Sequence, residues 1–401
     1  MPSLAFTLSR VRLLRTQVAL IAATALTGCA GQAAMSSAVQ PSAASGIAAI
    51  PTARCVADEA ALVHWDALVG QIGHGVTRLR ADGEQTAPDI MTAVLDLGQV
   101  QVRTAKPTAS IARIGSPNRL PQQWRAPTGD AQKDREQAAR NRANANGYFG
   151  GAIDLRFRFS QWAHALAVQR VAQAGCPAQR SLVFFNAQGQ PIQSVTLANS
   201  SAVAAFDALV QQFRHPEQVA PALQAQPENM PEQPRVADDE VDLEAYHRAW
   251  LEMTDVHQFN RVMREFGLER EQALRLAPPG KARALAPQAL HAVLMQASAQ
   301  QLPIMVFVSN GAATQVFADR VHTVREEGGW LIVDDPTSYI ALHASAVASA
   351  WHIERGGIHS LDFYDAQGQL ITSLFGVRDR EHPVPHAWIE LVQALPGRTG
   401  G

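Results

Sequence analysis

One twelve-residue segment occurs twice in the chain. Residues 181–192 read SLVFFNAQGQPI and residues 360–371 read SLDFYDAQGQLI, identical at eight of twelve positions across an offset of 179. Such self-similarity limits the fold more than any composition figure, because it implies one supersecondary unit built twice. Both copies read as a strand, a turn at Asn/Asp-Ala-Gln-Gly and a second strand. A helical pattern follows each, over residues 203–213 and 387–395. Upstream, residues 153–168 have a counterpart in 339–353. The expected organisation is a repeat at 51–214, a linker at 215–240 and a repeat at 241–397. The linker holds Pro216, Pro221, Pro227, Pro231 and Pro234 among Gln and Glu, and few apolar residues. Residues 115–147 read as a long polar surface loop with some helix. Residues 304–308, 314–317 and 330–333 alternate and are rich in Val, Ile and Phe. Runs of strands joined by short turns, with helices between the runs, predict an α+β fold. It has two tandem repeats, each a large antiparallel β-sheet with helices packed on it.

Composition narrows the function classes. With 47% apolar residues in 401, the chain can bury a sizeable core. A net charge of −2 lacks the basic footprint of a nucleic-acid binder. Only Lys106, Lys133 and Lys281 among the 34 basic residues are lysine, so anions would be held by guanidinium forks. Three cysteines, Cys29, Cys55 and Cys176, with no CxxC pair, exclude a disulfide framework and a zinc ribbon. Residues 1–34 read as a lipoprotein signal peptide. Arg10, Arg12 and Arg15 precede a short apolar run at 18–26, and Leu26-Thr27-Gly28-Cys29 is similar to a lipobox with Cys29 as the lipidated residue. The run is too short to span a bilayer. Residues 35–50 then read as a flexible tether. The expected location is lipid-anchored, facing the periplasm; the rival is a start at Met35 and a cytoplasmic protein.

Few constellations carry chemistry. A helix is predicted to open at Thr254-Asp255, with Thr254 as N-cap and Gly267 as stop. Val256, Phe259, Met263 and Phe266 form its apolar stripe. His257 lies in its first turn, where the positive helix end favours a neutral imidazole able to ligate a metal. The alternative is a partly buried, hydrogen-bonded histidine. Around Arg156, Ile153, Leu155 and Phe157 share one strand face while Asp154 and Arg156 share the other, which alone reads as an i,i+2 ion pair. His382 and His386 are four apart, but Pro383 and Pro385 forbid the helix a zinc pair would need. Cys176-Pro177 is a two-residue pattern linked to haem in other settings. Walker, GxGxxG, GxSxG and HExxH motifs are absent from the sequence.

The repeated Ser-Leu-x-Phe-Phe/Tyr-Asn/Asp-Ala-Gln-Gly element resembles the haemin-degrading and haemin-transport family of the HemS/ChuX type. So do Ile153-Asp-Leu-Arg156 with Trp162, the segment from Leu251 through Thr254-Asp-Val-His-Gln-Phe259, the segment 267–273, Met305-Val-Phe-Val308, residues 330–336 and Trp351. The resemblance covers roughly residues 53–396. It implies one haem b, as ligand or substrate, in a cleft between the repeats. It implies that His257 ligates the iron, that Arg156 approaches from the opposite side, and that Arg270 meets a propionate. His247 and His343 are the alternative ligands. The chain departs from the family pattern at Ile111-Ala112, at His322-Thr323 and at Ile340-Ala-Leu-His343. The implied function is a haem-binding protein of bacterial haem uptake and iron acquisition, receiving haem or handing it on, with a haem transporter as partner. The alternatives are a haem-degrading enzyme that releases iron and a haem-less, partner-binding lipoprotein.

Overall fold

The computed structural model describes residues 64–81, 86–119, 130, 132, 146–172, 177–225, 236–378 and 385–398. Cys29, Cys55, Cys176, His382, the lipobox and most of the 115–147 loop lie outside them. Among the described residues no helix is long and apolar enough to cross a membrane.

Two nine-stranded sheets dominate. The first runs β1 (Val76–Leu79), β7 (His164–Arg170), β8 (Gln179–Phe185), β9 (Pro191–Leu197), β2 (Val100–Lys106), β3 (Ala109–Gly115), β15 (Ser338–His343), β14 (Trp330–Asp335), β13 (Val324–Glu327). The second runs β10 (Ala282–Leu285), β16 (Ser349–Arg355), β17 (Ile358–Tyr364), β18 (Leu370–Gly376), β11 (Pro303–Ser309), β12 (Ala313–Arg320), β6 (Asp154–Arg158), β5 (Asn146–Gly150), β4 (Asn118–Arg119). The two orders match position for position, and the paired strands are antiparallel. The expected α+β architecture of two large antiparallel sheets with helices is therefore the one observed. The expectation did not contain the exchange between them. Strands β13 to β15 of the second repeat complete the first sheet, by β15 pairing with β3. Strands β4 to β6 of the first repeat complete the second, by β6 pairing with β12.

The repeated motif forms the hairpins β8–β9 and β17–β18, and its identities have a local cause. Asn186 Oδ1 accepts from the backbone N–H of Gln188 and Gln190, and Asp365 Oδ1 does the same for Gln367 and Gln369. Gly189 and Gly368 sit at φ +74 and +71, a left-handed conformation that favours glycine. After each hairpin an amphipathic helix covers the sheet: α3 (Val203–Phe213) buries Phe206, Leu209, Val210 and Phe213, and α8 (His386–Ala394) buries Trp388, Leu391 and Val392. Among the described residues the other α-helices, in chain order, are α1 (Trp65–Val69), α2 (Thr86–Ala93), α4 (Leu243–Leu251), α5 (Phe259–Glu265), α6 (Arg270–Arg275) and α7 (Ala289–Ala299).

Both main cores draw on both repeats. One joins Ala109 and Ile111 of β3 to Leu290, Leu294, Phe363 and Trp388. The other joins Ala312 and Ala313 to Phe157, Trp162, Phe184 and Phe206. A smaller cluster of Tyr246, Trp250, Phe259, Val262 and Leu274 seats α4 to α6 against Ile353 and Tyr364. The first stretch of the linker is not a free tether. Gln218 accepts from the N–H of Arg78 and donates to its C=O, both at 3.0 Å, as a neighbouring strand would at the edge of β1.

Candidate functional site

His257 is carried by a short 3₁₀ turn, Val256–Gln258, that leads into α5. The N-cap is Asp255, not Thr254 as the sequence pattern predicted. Asp255 is in extended conformation and its carboxylate accepts the His257 N–H at 2.7 Å, so it meets the open donors of the turn one residue later. Gly267 does end the helix, at φ +64. The apolar stripe is the expected one in Phe259, Met263 and Phe266, with Val262 as its other buried member.

The His257 side chain is 86% exposed, and its Nδ1 contacts the same Asp255 oxygen at 2.6 Å. This is not the partly buried histidine of the alternative reading. Hydrogen bonds from the His257 backbone, then from its ring, hold the Asp255 carboxyl below the usual carboxylate range. With Nδ1 occupied by a carboxylate, Nε2 is the accessible nitrogen, and its orientation is fixed. Carboxylate–histidine pairs of this kind orient metal-bound imidazoles and raise their basicity. The alternatives His247 and His343 are engaged differently. His247 Nε2 lies 2.9 Å from the Leu276 carbonyl, and His343 stacks on Trp330 at 4.5 Å with 5° between the planes.

Arg156 is on β6, opposite Thr314 of β12, with Ile153, Leu155 and Phe157 buried on the other face as the alternation predicted. Its Nη1 bonds Asp154 Oδ1 at 3.0 Å, and the side chain is 42% exposed. Arg270 opens α6 and turns inward. Its Nε and Nη2 both donate to Asp362 Oδ2, at 3.1 and 3.0 Å, and Nε also reaches the Tyr364 hydroxyl at 3.0 Å. Asp362 is 0% exposed. Burial opposes the Arg270 charge, but Asp362 and Tyr364 outweigh it and raise the guanidinium pKa above its ordinary value. The three singled-out residues are thus in three settings: an exposed turn, a half-exposed strand face and a buried ion pair.

The resemblance implied a cleft between the repeats, and both repeats line a cavity of about 1820 Å³ whose wall includes Arg103, Lys106, Arg158, Trp330 and Tyr339, none of them singled out as a site residue in the sequence. His257, Arg156 and Arg270 are not among its lining residues. Lys106 is the notable group. Burial, opposed by Asp365, lowers its amine to about 8. These residues are scattered along the chain without a shared spacing. The strand exchange, β15 onto β3 and β6 onto β12, brings them together, so no sequence pattern signals them.

Comparison with known proteins places the arrangement. A family model for the haemin-degrading HemS/ChuX domain matches residues 136–213 and 267–395, one stretch in each repeat. The hemin transport protein HmuS of Yersinia pestis is 28% identical over 348 residues, covering 84% of this chain and 89% of that protein. The hemin transport protein HemS of Yersinia enterocolitica is 30% identical over 249 residues, covering 61% and 70%. Among solved structures, holo-PhuS, a heme-binding protein from Pseudomonas aeruginosa, has a TM-score of 0.71 at 26% identity, covering 85% of this chain and 93% of that one. The Escherichia coli protein ChuS shares the fold at a TM-score of 0.65 and 23% identity. With the family model matching one stretch in each repeat and together more than half of the chain, the chain belongs to the haemin-degrading HemS/ChuX domain family.

Proposed function

We propose that this protein binds haem in bacterial haem uptake, receiving it and handing it on, with His257 as the iron ligand and Arg156 facing the opposite side. The observation that carries this is the Asp255–His257 pair, which leaves an oriented, accessible Nε2. Neutral imidazole is a common axial ligand of haem iron, so the donor set fits the group. The names of the relatives support the same reading: two are hemin transport proteins and one is a heme-binding protein. Bound haem would bring the iron and macrocycle chemistry; the chain would supply ligation and orientation.

Adding haemin to the purified protein tests the reading. A Soret band is expected that His257→Ala abolishes or strongly blue-shifts, while His247→Ala keeps it and the circular dichroism of both variants is unchanged. A parent that forms no Soret complex sinks the proposal in favour of a haem-less partner-binding protein. Haem degradation is the second reading, favoured by the family to which the chain belongs. Loss of the macrocycle when reductant is added to the complex would support it. For location, we propose lipidation at Cys29 and membrane anchoring. Mass spectrometry of the membrane fraction should find a lipid-modified Cys29 terminus; a soluble protein starting at Met35 would overturn this and leave the cytoplasmic alternative.

A further inference from the structure

The two copies of the repeated motif differ at Val183/Asp362 and Phe185/Tyr364. In the first sheet these positions are apolar and fully buried, with Trp65 of α1 against Phe185 at 5.1 Å. In the second sheet the same two places carry a buried carboxylate and a buried phenol. Asp362 accepts from Arg270 Nε and Nη2, from the Tyr364 hydroxyl at 3.0 Å and from Ser373 Oγ at 2.6 Å. Burial raises the Asp362 carboxyl, but the Arg270 and Arg355 guanidiniums and the Ser373 hydroxyl bring it below its ordinary range. Both guanidiniums then lie over the Phe259 ring, Arg270 at 5.5 Å and Arg355 at 4.8 Å. Arg270 Nη1 also reaches Asn260 Oδ1 at 3.5 Å. Phe259 is buried, is packed edge-on by Trp250 at 5.1 Å, and stands two residues past His257.

We infer that the Asp362–Tyr364–Arg270 network is a device of the second repeat that positions His257, by clamping Phe259 at the start of α5, and that Arg270 is a positioning residue and not a propionate partner. This rests on the assignment of His257 as iron ligand. The Nε/Nη2 edge of Arg270 is already filled by a carboxylate of the chain itself. A ligand carboxylate that took this edge would strip the fully buried Asp362 of both hydrogen bonds from Arg270, leaving only Tyr364, Ser373 and the charge of Arg355 to hold it. The first repeat shows that the sheet does not need the network in order to fold, because Val183 and Phe185 fill the equivalent places.

The test uses Asp362→Asn and the double variant Asp362→Val with Tyr364→Phe, which restores the residues of the first repeat. Amide hydrogen exchange without haemin is the first readout. Peptides covering 255–266 should exchange about tenfold faster or more in either variant, as expected for losing hydrogen bonds to a charged group, while peptides covering 181–192 keep their parent rates. Unchanged exchange at 255–266 in Asp362→Asn overturns the inference, and this outcome does not depend on whether the double variant folds. The second readout is the ferric haemin spectrum. Asp362→Asn should lose the parent spectrum and regain it with excess imidazole, as a misplaced ligand would. The third compares haemin with its dimethyl ester, which has no free carboxylate. A parent preference for haemin that disappears in Arg270→Gln overturns the inference in favour of the propionate role; an equal loss for both ligands supports positioning. A parent that binds neither ligand defeats the functional reading, while the exchange experiment still decides the clamp.

Discussion

At the scale of single residues, the decisive question is what each polar atom already touches. Arg156 is half-exposed, and its recorded partner, Asp154, is its own strand neighbour two residues away. Such an exposed pair is worth at most about 1 kcal/mol. Arg156→Ala should weaken haemin binding by about 1.5–3 kcal/mol, the range for a hydrogen bond to a charged group, with the His257 ligation spectrum retained. Titration of haemin into the variant checks this; parent affinity would show that Arg156 stays with Asp154. His257 was a candidate in the sequence because its motif and its place at a helix start both pointed to it, and the structure puts it on an exposed turn. Its partner was legible only in kind. The helix dipole argument named a positive end, but the structure shows a specific carboxylate at Nδ1. Arg270 was readable as a basic residue after the helix that follows His257, whereas Asp362 looked like a neutral variation between two copies of a motif. A substitution of Val by Asp at a buried strand position carries meaning only once the neighbour that compensates it is known.

Elements show how far local rules reach. Both hairpin turns were legible, since Asn/Asp-Ala-Gln-Gly names the side-chain acceptor and the left-handed residue. The turns differ in what surrounds them. A Cβ on Gly189 would lie 3.0 Å from Leu223 Cδ1 and 3.0 Å from Trp65 Cγ, while a Cβ on Gly368 has only Glu271 at 3.9 Å. Gly368→Ala should cost about 1–2 kcal/mol for the left-handed backbone alone, and Gly189→Ala more, because Trp65 and the docked linker must give way. Urea midpoints of the two variants measure the difference, and equal losses would mean that the linker contact moves freely. Strands β16 and β17 hold a second element-scale feature, the stacked pair His352 and His359, with His352 Nε2 at 2.9 Å from His359 Nδ1. Burial, then the charges of His359 and Arg283, lower His352 from 6.5 to about 4. The unfolded chain therefore takes up this proton first. The stabilising effect is complete above pH 6.5 and is lost as pH falls toward about 4. His352→Gln should flatten that part of the stability–pH curve relative to the parent; identical slopes would place the acid sensitivity elsewhere.

Over the whole molecule the sequence reading was right about duplication and silent about exchange. Period-two alternation in residues 338–343 says that a strand exists and which faces it buries. It contains no information on which sheet supplies its partner, and β15 goes to β3 of the other repeat. The cost of separating the repeats follows directly. Residues 241–397 alone would lack β4 to β6, leave the β12 edge bare and give β15 no partner strand at β3. Their core would also lose Ala109 and Ile111. Expressed alone, this segment should unfold without a cooperative transition or self-associate, and co-expression with the first repeat should restore a cooperative transition. Ultracentrifugation and thermal melts read both outcomes; a monomer with a sharp melt would show that one repeat folds by itself.

The exchange also sets a timetable for synthesis. Strand β3 ends at Gly115 and its neighbour β15 begins at Ser338. At roughly 5–20 residues per second, the ribosome needs about 10–45 s to deliver the one after the other. During that interval the first sheet carries an open edge whose strand β3 is buried along its whole length in the finished fold. A nascent first repeat with that edge bare is a template for any other strand in reach, including the β15 of a neighbouring copy. The same geometry that knits one chain into two sheets therefore makes its birth slow, non-local in contact order and dependent on whatever shields β3 until Ser338 emerges.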